Sequence, residues 1–275
     1  MKVIIVGGGV GGLTTALMLH ARGIDCELFE QAETIRELGV GINTLPHAIK
    51  ELQQLGLMER LDSVAIRTHE LIYTNRFGQE IWREPRGLEA GYDVPQFSIH
   101  RGRLQGVIYQ AVRARLGESR IHLGCRLGSF KQDDAGVTAY FFDRSGTHRR
   151  TVAGDVLIGA DGIHSYVRSM LYPNEGPACW NGAMLWRGAL DWPQFLTGRS
   201  MVIAGGMAVD RALETAIVAP LSDEADVQQA LRDGSGRFYG IGVTTSVPGY
   251  FLSEALRDLQ ARTTAAHGGQ KGGEE

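Results

Sequence analysis

The sequence predicts an α/β protein: a domain built on a parallel β-sheet with an added β-meander, and a smaller β-sheet domain beside it. Three observations carry this. A short β-branched run, Lys2 to Val6 (KVIIV), passes through a glycine turn and a helical stretch into a second short strand, Asp25 to Glu30. That is one βαβ unit within about 30 residues. Much later, Asp155 to Gly159 (DVLIG) again reads as a strand buried on both faces of a parallel sheet. Beyond it, Met184 to Leu190, Ser200 to Ala204 and Glu214 to Ala219 read as strands of a separate sheet.

The remaining elements follow from local signals. Leu13 to Arg22 is a helix, with Gly23 as its stop. Glu37 to Pro46 is a glycine-containing loop, and Pro46 opens a helix, His47 to Leu55, ended by Gly56. Glu70 to Trp82 alternates like a hairpin around Phe77-Gly78, and Ser98 to Leu116 has apolar positions at helical spacing. Ile121 to Val152 reads as a three-stranded meander with turns at Asp133 to Gly136 and at Ser145-Gly146. Glu224 to Arg232 reads as a helix, and Ala261 to Glu275 as a disordered, glycine-rich tail. The first domain is expected over residues 1–70 and 98–178, and the second over 71–97 and 179–260.

Composition narrows the functions. Hydrophobic residues are 43% and charged residues 21% of 275, an ordinary globular balance, and the net charge of −3 offers no basic excess for nucleic acid. No polybasic run addresses an anionic membrane, and no glycine-free apolar stretch is long enough to span one. Cys26, Cys125 and Cys179 are odd in number and widely separated, which fits neither a disulfide framework nor a zinc site. Free thiols in a reducing cytoplasm are the expectation. The apolar N-terminus imitates a secretion signal, but Gly7, Gly8, Gly9, Gly11 and Gly12 break it and no cleavage site follows. A metal site is not expected.

Gly7-Gly8-Gly9-Val10-Gly11-Gly12 fits G-x-G-x-x-G at Gly7, Gly9 and Gly12, between a buried strand and a helix. Gly7 allows the tight turn, Gly9 lets a pyrophosphate approach the backbone, and Gly12 lets helix and strand lie close. Phosphates would sit at the positive helix end, beside free backbone N–H groups. Glu30 closes the second strand 18 residues after Gly12, where a carboxylate can accept from both ribose hydroxyls of an adenosine; Gln31 is placed beside it. These features define a Rossmann-like dinucleotide site. The acidic Glu30 disfavours a 2′-phosphate there.

This motif alone does not separate FAD from NAD. Asp161-Gly162-Ile163-His164-Ser165-Tyr166-Val167-Arg168 fits D-G-x-x-S-x-x-R directly after a buried strand. It resembles the second fingerprint of the aromatic-ring flavoprotein monooxygenases, and by that resemblance Asp161 would lie near the ribose and pyrophosphate of the cofactor. The alternative reading is a strand–turn–helix junction capped by Asp161. Ser98 to Leu104 (SIHRGRL) resembles the family's helix start, with Arg101 in the place of an arginine at the FAD pyrophosphate. Gly39 to Asn43, including Gly41, resembles the loop that passes near the isoalloxazine ring. Met184 to Gly188 and Phe195 to Met201 resemble substrate-domain strands of the phenazine- and salicylate-hydroxylase branch. The likeness covers roughly residues 1–205.

The resemblance implies FAD as cofactor and NAD(P)H as transient electron donor. The reduced flavin would carry oxygen as a C4a-hydroperoxide that hydroxylates a small aromatic substrate. It implies no catalytic triad; His47, His100 and His164 read as structural. A dimer is left open. The family's third motif, G-D-A-A-H-x-x-x-P, has no counterpart here; Thr264-Ala265-Ala266-His267 lacks the Asp. The expectation is therefore a C-terminally truncated relative, with weaker FAD binding and NAD(P)H oxidation largely uncoupled to peroxide. A non-catalytic FAD-binding remnant and another FAD oxidoreductase on the same fold remain as alternatives.

Overall fold

The computed structural model describes residues 1–37, 39–75, 77–177, 184–188, 194–205, 215–216 and 241–245; for 184–188, 205, 215–216 and 241–245 only the backbone is described. The chain opens with β1 (Lys2–Val6), α1 (Val10–His20) and β2 (Asp25–Phe29). Then come β3 (Gly41–Thr44), α2 (Pro46–Gln54), α3 (Met58–Asp62), β4 (Ile66–Thr68), β5 (Glu70–Asn75), β6 (Glu80–Pro85) and β7 (Gln96–His100). The long helix α4 (Arg101–Leu116) leads to β8 (Ile121–His122) and to the meander β9 (Arg126–Asp133), β10 (Gly136–Phe142) and β11 (His148–Gly154). β12 (Val156–Gly159) and α5 (Tyr166–Leu171) precede β13 (Met184–Gly188), β14 (Ser200–Gly205), β15 (Thr215–Ala216) and β16 (Ile241–Thr245).

β1 is central in a parallel sheet of order β12-β1-β2-β8. Its side chains alternate between two cores, as the period of a strand requires. Val3 and Ile5 pack with Leu13 and Leu17 of α1 and with Leu104 and Ile108 of α4. Ile4 and Val6 face the meander residues Leu127, Ala139, Phe141 and Val152. Three layers result: helices, parallel sheet, meander. Both faces of β1 are sealed, and each fully buried aliphatic side chain contributes about 2 kcal/mol. The Phe29 ring joins the layers, stacked between His122 at 4.5 Å and Phe141 at 4.1 Å.

β12 pairs with β1 from Val3↔Val156 to Val6↔Gly159, so the DVLIG run does enter the first sheet. The hairpin β5–β6 joins a separate sheet of order β13-β16-β15-β14-β5-β6, in which β14 runs parallel to β5. Both placements are those the sequence predicts, but the expected burial of DVLIG on both faces is not found: β12 is the edge strand of the sheet, with Val156 and Gly159 exposed among the described residues.

Four boundaries differ. α1 starts at Val10, not Leu13, because Gly9 takes the extended N-cap conformation (φ −72°, ψ 179°) and two glycines enter the first turn. Ser98 to His100 end a strand rather than begin a helix: Phe97 and Ile99 are buried and Ser98 and His100 are not, a period of two. Ile121 and His122 leave the meander to pair with β2 in the parallel sheet. The supposed loop Glu37 to Pro46 contains β3, and β3, β7 and β4 form a small third sheet. β7 returns the chain to the helical core, where Val94 and Phe97 are buried. Glu224 to Arg232, the tail from Ala261 and Cys179 lie outside the described residues.

Candidate functional site

The glycine turn lies at the carboxyl ends of β1, β2 and β12, with β2 and β12 flanking β1 on opposite sides. In open α/β sheets such a switch point is where a crevice forms. Gly7 has φ +111°, and a Cβ there would overlap the carbonyl of Ala160 just after β12. A Cβ on Gly12 would overlap the Gly7 carbonyl oxygen, so α1 is seated directly on the strand end. Gly9 and Gly11 are different: nothing lies within 4 Å of a Cβ at either. No side chain caps α1 and its first turn carries no acid. The positive helix end, with its unsatisfied N–H groups, is therefore open on the Gly9 side.

Glu30 leans over this turn. Its Oε2 accepts the Gly8 N–H at 2.6 Å and its Oε1 the Ala32 N–H at 2.7 Å. A Cβ on Gly8 would crowd the Glu30 side chain, which explains that glycine. A carboxylate has about four acceptor sites, so two remain. Gln31 is exposed in the bend that follows. Val10 opens α1 beside the gap.

α4 closes the other side. Its residue Gln105 donates Nε2–H to the Gly8 carbonyl at 2.9 Å. Arg101, one turn earlier on the same helix face, is exposed at the start of α4. Its N–H bonds the Val40 carbonyl at 2.9 Å, and His100 Nε2 lies 2.9 Å from the Gly39 carbonyl. Gly41 pairs with His100 at the start of β3. Glu37 and Gly39 lie against the first turns of α4, where a Cβ on Gly102 would overlap the Glu37 backbone and one on Gly39 would crowd the Arg101 side chain. Gln105 and Glu37 were not singled out from sequence. Glycines at 102 and 106 inside a helix, each costing about 1 kcal/mol, were the available signal of close packing there.

Asp161 stands next to Gly7 in space, but its carboxylate is engaged locally. Oδ1 accepts from Ser165 Oγ at 2.6 Å; Oδ2 accepts the N–H groups of Tyr166 at 2.7 Å and Val167 at 3.1 Å. Ser165 Oγ in turn accepts the Arg168 N–H, and Arg168 donates to the Ile163 carbonyl. The D-G-x-x-S-x-x-R segment is thus a self-contained helix cap. Burial pushes the Cys26 and Cys125 thiols up from their ordinary range, so both stay protonated and unreactive. Among the described residues no group of acids, histidines and cysteines could hold a metal, and no helix is long and apolar enough to cross a membrane. The side chains of Trp186 and Arg187 lie outside the description.

An open parallel sheet whose first helix begins bare, against a glycine turn and under an acidic strand end, defines a dinucleotide-binding protein of the Rossmann class. The particular family is given by comparison: the model of the FAD binding domain matches residues 1–185, and the chain belongs to that family. A shorter match, to the CbbQ/NirQ/NorQ C-terminal model, covers residues 196–236. Phenazine 1,6-dicarboxylic acid hydroxylase PhzS of Lysobacter antibioticus is 43% identical over 204 residues, 74% of this chain and 50% of that protein. Aurachin C monooxygenase/isomerase of Stigmatella aurantiaca is 32% identical over 192 residues, 70% of this chain and 48% of that protein. The chain spans about half the length of the curated relatives it matches. Among solved structures, Klebsiella pneumoniae HpxO complexed with FAD and uric acid superposes with a TM-score of 0.67 at 21% identity, covering 90% of this chain and 57% of that one, which establishes the shared fold.

Proposed function

We propose that this chain binds FAD with the adenosine diphosphate half at the start of α1, and serves an NAD(P)H-dependent hydroxylation of a small aromatic compound. The observation that carries the cofactor reading is the open approach to Gly9 beside a helix start that no side chain caps. A cradle a Cβ would fill is what a pyrophosphate requires. Gly8, Val10, Gly11 and Gly12 shape it, and Glu30, with two acceptor sites spare, faces the ribose; Gln31 flanks it. Arg101 supplies a cation beside the phosphates. Asp161 acts through the turn it holds beside Gly7, not as a free acceptor, which departs from what the family resemblance implies. Gly41 leaves bare backbone further along.

Bound FAD supplies two-electron redox chemistry and oxygen activation. This chain's residues bind and orient it. No described side chain is needed as a general base, because the hard chemistry belongs to the cofactor. The aromatic substrate class rests on the relatives, whose names specify phenazine and aurachin compounds. NAD(P)H as donor rests on the family resemblance, and a dimer is compatible with it.

The test has two stages. Purified chain titrated with FAD should quench flavin fluorescence and become yellow; failure to bind refutes the cofactor reading. NAD(P)H oxidation should then rise with an aromatic acid, and the ratio of hydroxylated product to NADPH consumed reports coupling. FAD binding without any aromatic stimulation would retain the site and refute the hydroxylase.

A further inference from the structure

The outer face of the β3–β7–β4 sheet carries a row of polar groups that phosphate anchoring does not use. Along β7, Phe97 and Ile99 face the core, while Ser98 and His100 face away. On that outer face Ser98 Oγ donates to Asn43 Oδ1 at 2.8 Å, and Thr68 Oγ1 lies 2.8 Å from the same serine oxygen. A serine hydroxyl has one proton. With that proton given to Asn43, the other bond must be donated by Thr68, so the row is polarised from Thr68 to Ser98 to Asn43. Thr68 is 1% exposed, so its end of the row is anchored away from water, whereas Asn43 is exposed at the other end. With Oδ1 occupied by the Ser98 hydroxyl, the Nδ2–H groups are the donors that exposed Asn43 has left to offer.

Register fixes where this donor lies. Asn43 is opposite Ser98 and Gly41 opposite His100, and Val40 accepts the Arg101 N–H at the start of α4. Asn43 thus lies about 7 Å, two strand residues, past Gly41 and on the same face. Gly41 has no side chain, so no side chain projects from that position beside Asn43. A flat ring laid there would meet a peptide surface and one oriented neutral donor.

We propose that Asn43, held by Ser98 and Thr68, donates a hydrogen bond to an acceptor atom of the flavin ring system, a carbonyl oxygen or a ring nitrogen. Asn43 is the contacting residue; Ser98 and Thr68 are positioning residues. The inference rests on the FAD reading above. A donor at a ring acceptor stabilises the extra electron density of the reduced ring, so it raises the midpoint potential.

The experiment measures the flavin midpoint potential and absorption spectrum of the FAD-loaded chain and of Asn43→Ala, Ser98→Ala and the double variant. FAD should still bind, since Gly9, Glu30 and Gln105 are untouched, with the dissociation constant rising no more than about fivefold for the one hydrogen bond lost. The potential should fall in Asn43→Ala and fall less in Ser98→Ala. The double variant should match Asn43→Ala alone, because Ser98 acts only through Asn43. An unchanged potential and spectrum in FAD-bound Asn43→Ala overturns the contact, and additive effects of the two changes overturn the positioning role. Gly9→Val separates the two readings: loss of FAD there with no Asn43 effect sinks only this inference, while a parent chain that never binds FAD sinks both.

Discussion

Gln105 Nε2 donates to the Gly8 carbonyl oxygen at 2.9 Å across 97 residues of sequence. The glycine turn is therefore held from two sides, by Gln105 at the Gly8 carbonyl and by Glu30 at the Gly8 N–H. Such pinning fixes the turn before a ligand arrives, which lowers the ordering cost of binding.

Gln105→Leu keeps the bulk but removes that bond. A net hydrogen bond is worth about 1 kcal/mol, so the FAD dissociation constant should rise about fivefold. Gln105→Glu should do more, since a carboxylate would face the carbonyl oxygen and the phosphates. Fluorescence-quench titration checks both; equal affinities would show that the turn does not depend on α4.

Gly12 and Gly9 should separate folding from binding. A side chain on Gly12 collides with the Gly7 backbone, whereas one on Gly9 meets nothing within 4 Å and Gly9 has an ordinary φ of −72°. Gly12→Val should lower the melting temperature sharply, with a cost of about 3 kcal/mol or more for overpacking. Gly9→Val should melt like the parent yet lose FAD. A Gly9→Val protein that retains FAD would remove the phosphate from this helix end.

What the sequence made legible were features fixed by local chemistry. KVIIV is a strand buried on both faces as its β-branched residues suit, DCELF and DVLIG pair on either side of it, and the glycine turn shows its function in its spacing. The small sheet of β3, β7 and β4 was not legible. Gly41 to Thr44 is four residues between a glycine-rich loop and a proline, and its pairing partner is more than fifty residues away. Helical spacing from Leu104 onward also hid the period-two run at Phe97 and Ile99. In Asp161 the sequence left two roles open, and the structure uses its carboxylate for the cap.

Asp161→Ala should accordingly behave as a loss of helix cap. Three acceptor bonds to Ser165, Tyr166 and Val167 disappear together. Stability should drop by about 1–2 kcal/mol. Since Glu30 and Gly9 are untouched, the remaining folded protein should keep most of its FAD affinity. Denaturant midpoints and FAD titration read the two effects apart; lost FAD with unchanged stability would make Asp161 a ligand after all.

Glu30→Ala removes both the clasp on the Gly8 N–H and the acceptor proposed for the ribose. Glu30→Gln keeps size and one acceptor oxygen but no charge. FAD affinity should fall in both, and further in the alanine variant, by about ten- to a hundredfold for a charged hydrogen bond of about 1.5–3 kcal/mol. Flavin content equal to the parent in both would remove Glu30 from the site.

The last prediction concerns acid stability. His122 Nε2 donates to Glu27 Oε2 at 2.8 Å, and Lys2 Nζ lies 2.9 Å from Glu27 Oε1, with Arg120 nearby. Burial pushes the His122 imidazole below its ordinary value of 6.5, with the Arg150 charge adding to it, and this outweighs the Glu27 partner. Burial by itself would raise the Glu27 carboxyl, but the Lys2 and His122 hydrogen bonds and the charge of both hold it below its ordinary 4.5. Both folded groups therefore bind protons less readily than the unfolded chain does. Stability must then fall as pH falls, first below about 6.5 as an unfolded His122 gains its proton, then below about 4.5 through Glu27. His122→Gln retains a donor toward Glu27 but cannot titrate. Its melting temperature should change less than the parent's between pH 7.5 and pH 5.5, while the loss below about 4.5 persists. Parallel melting curves for the two proteins across the upper window would show that another group governs the acid sensitivity.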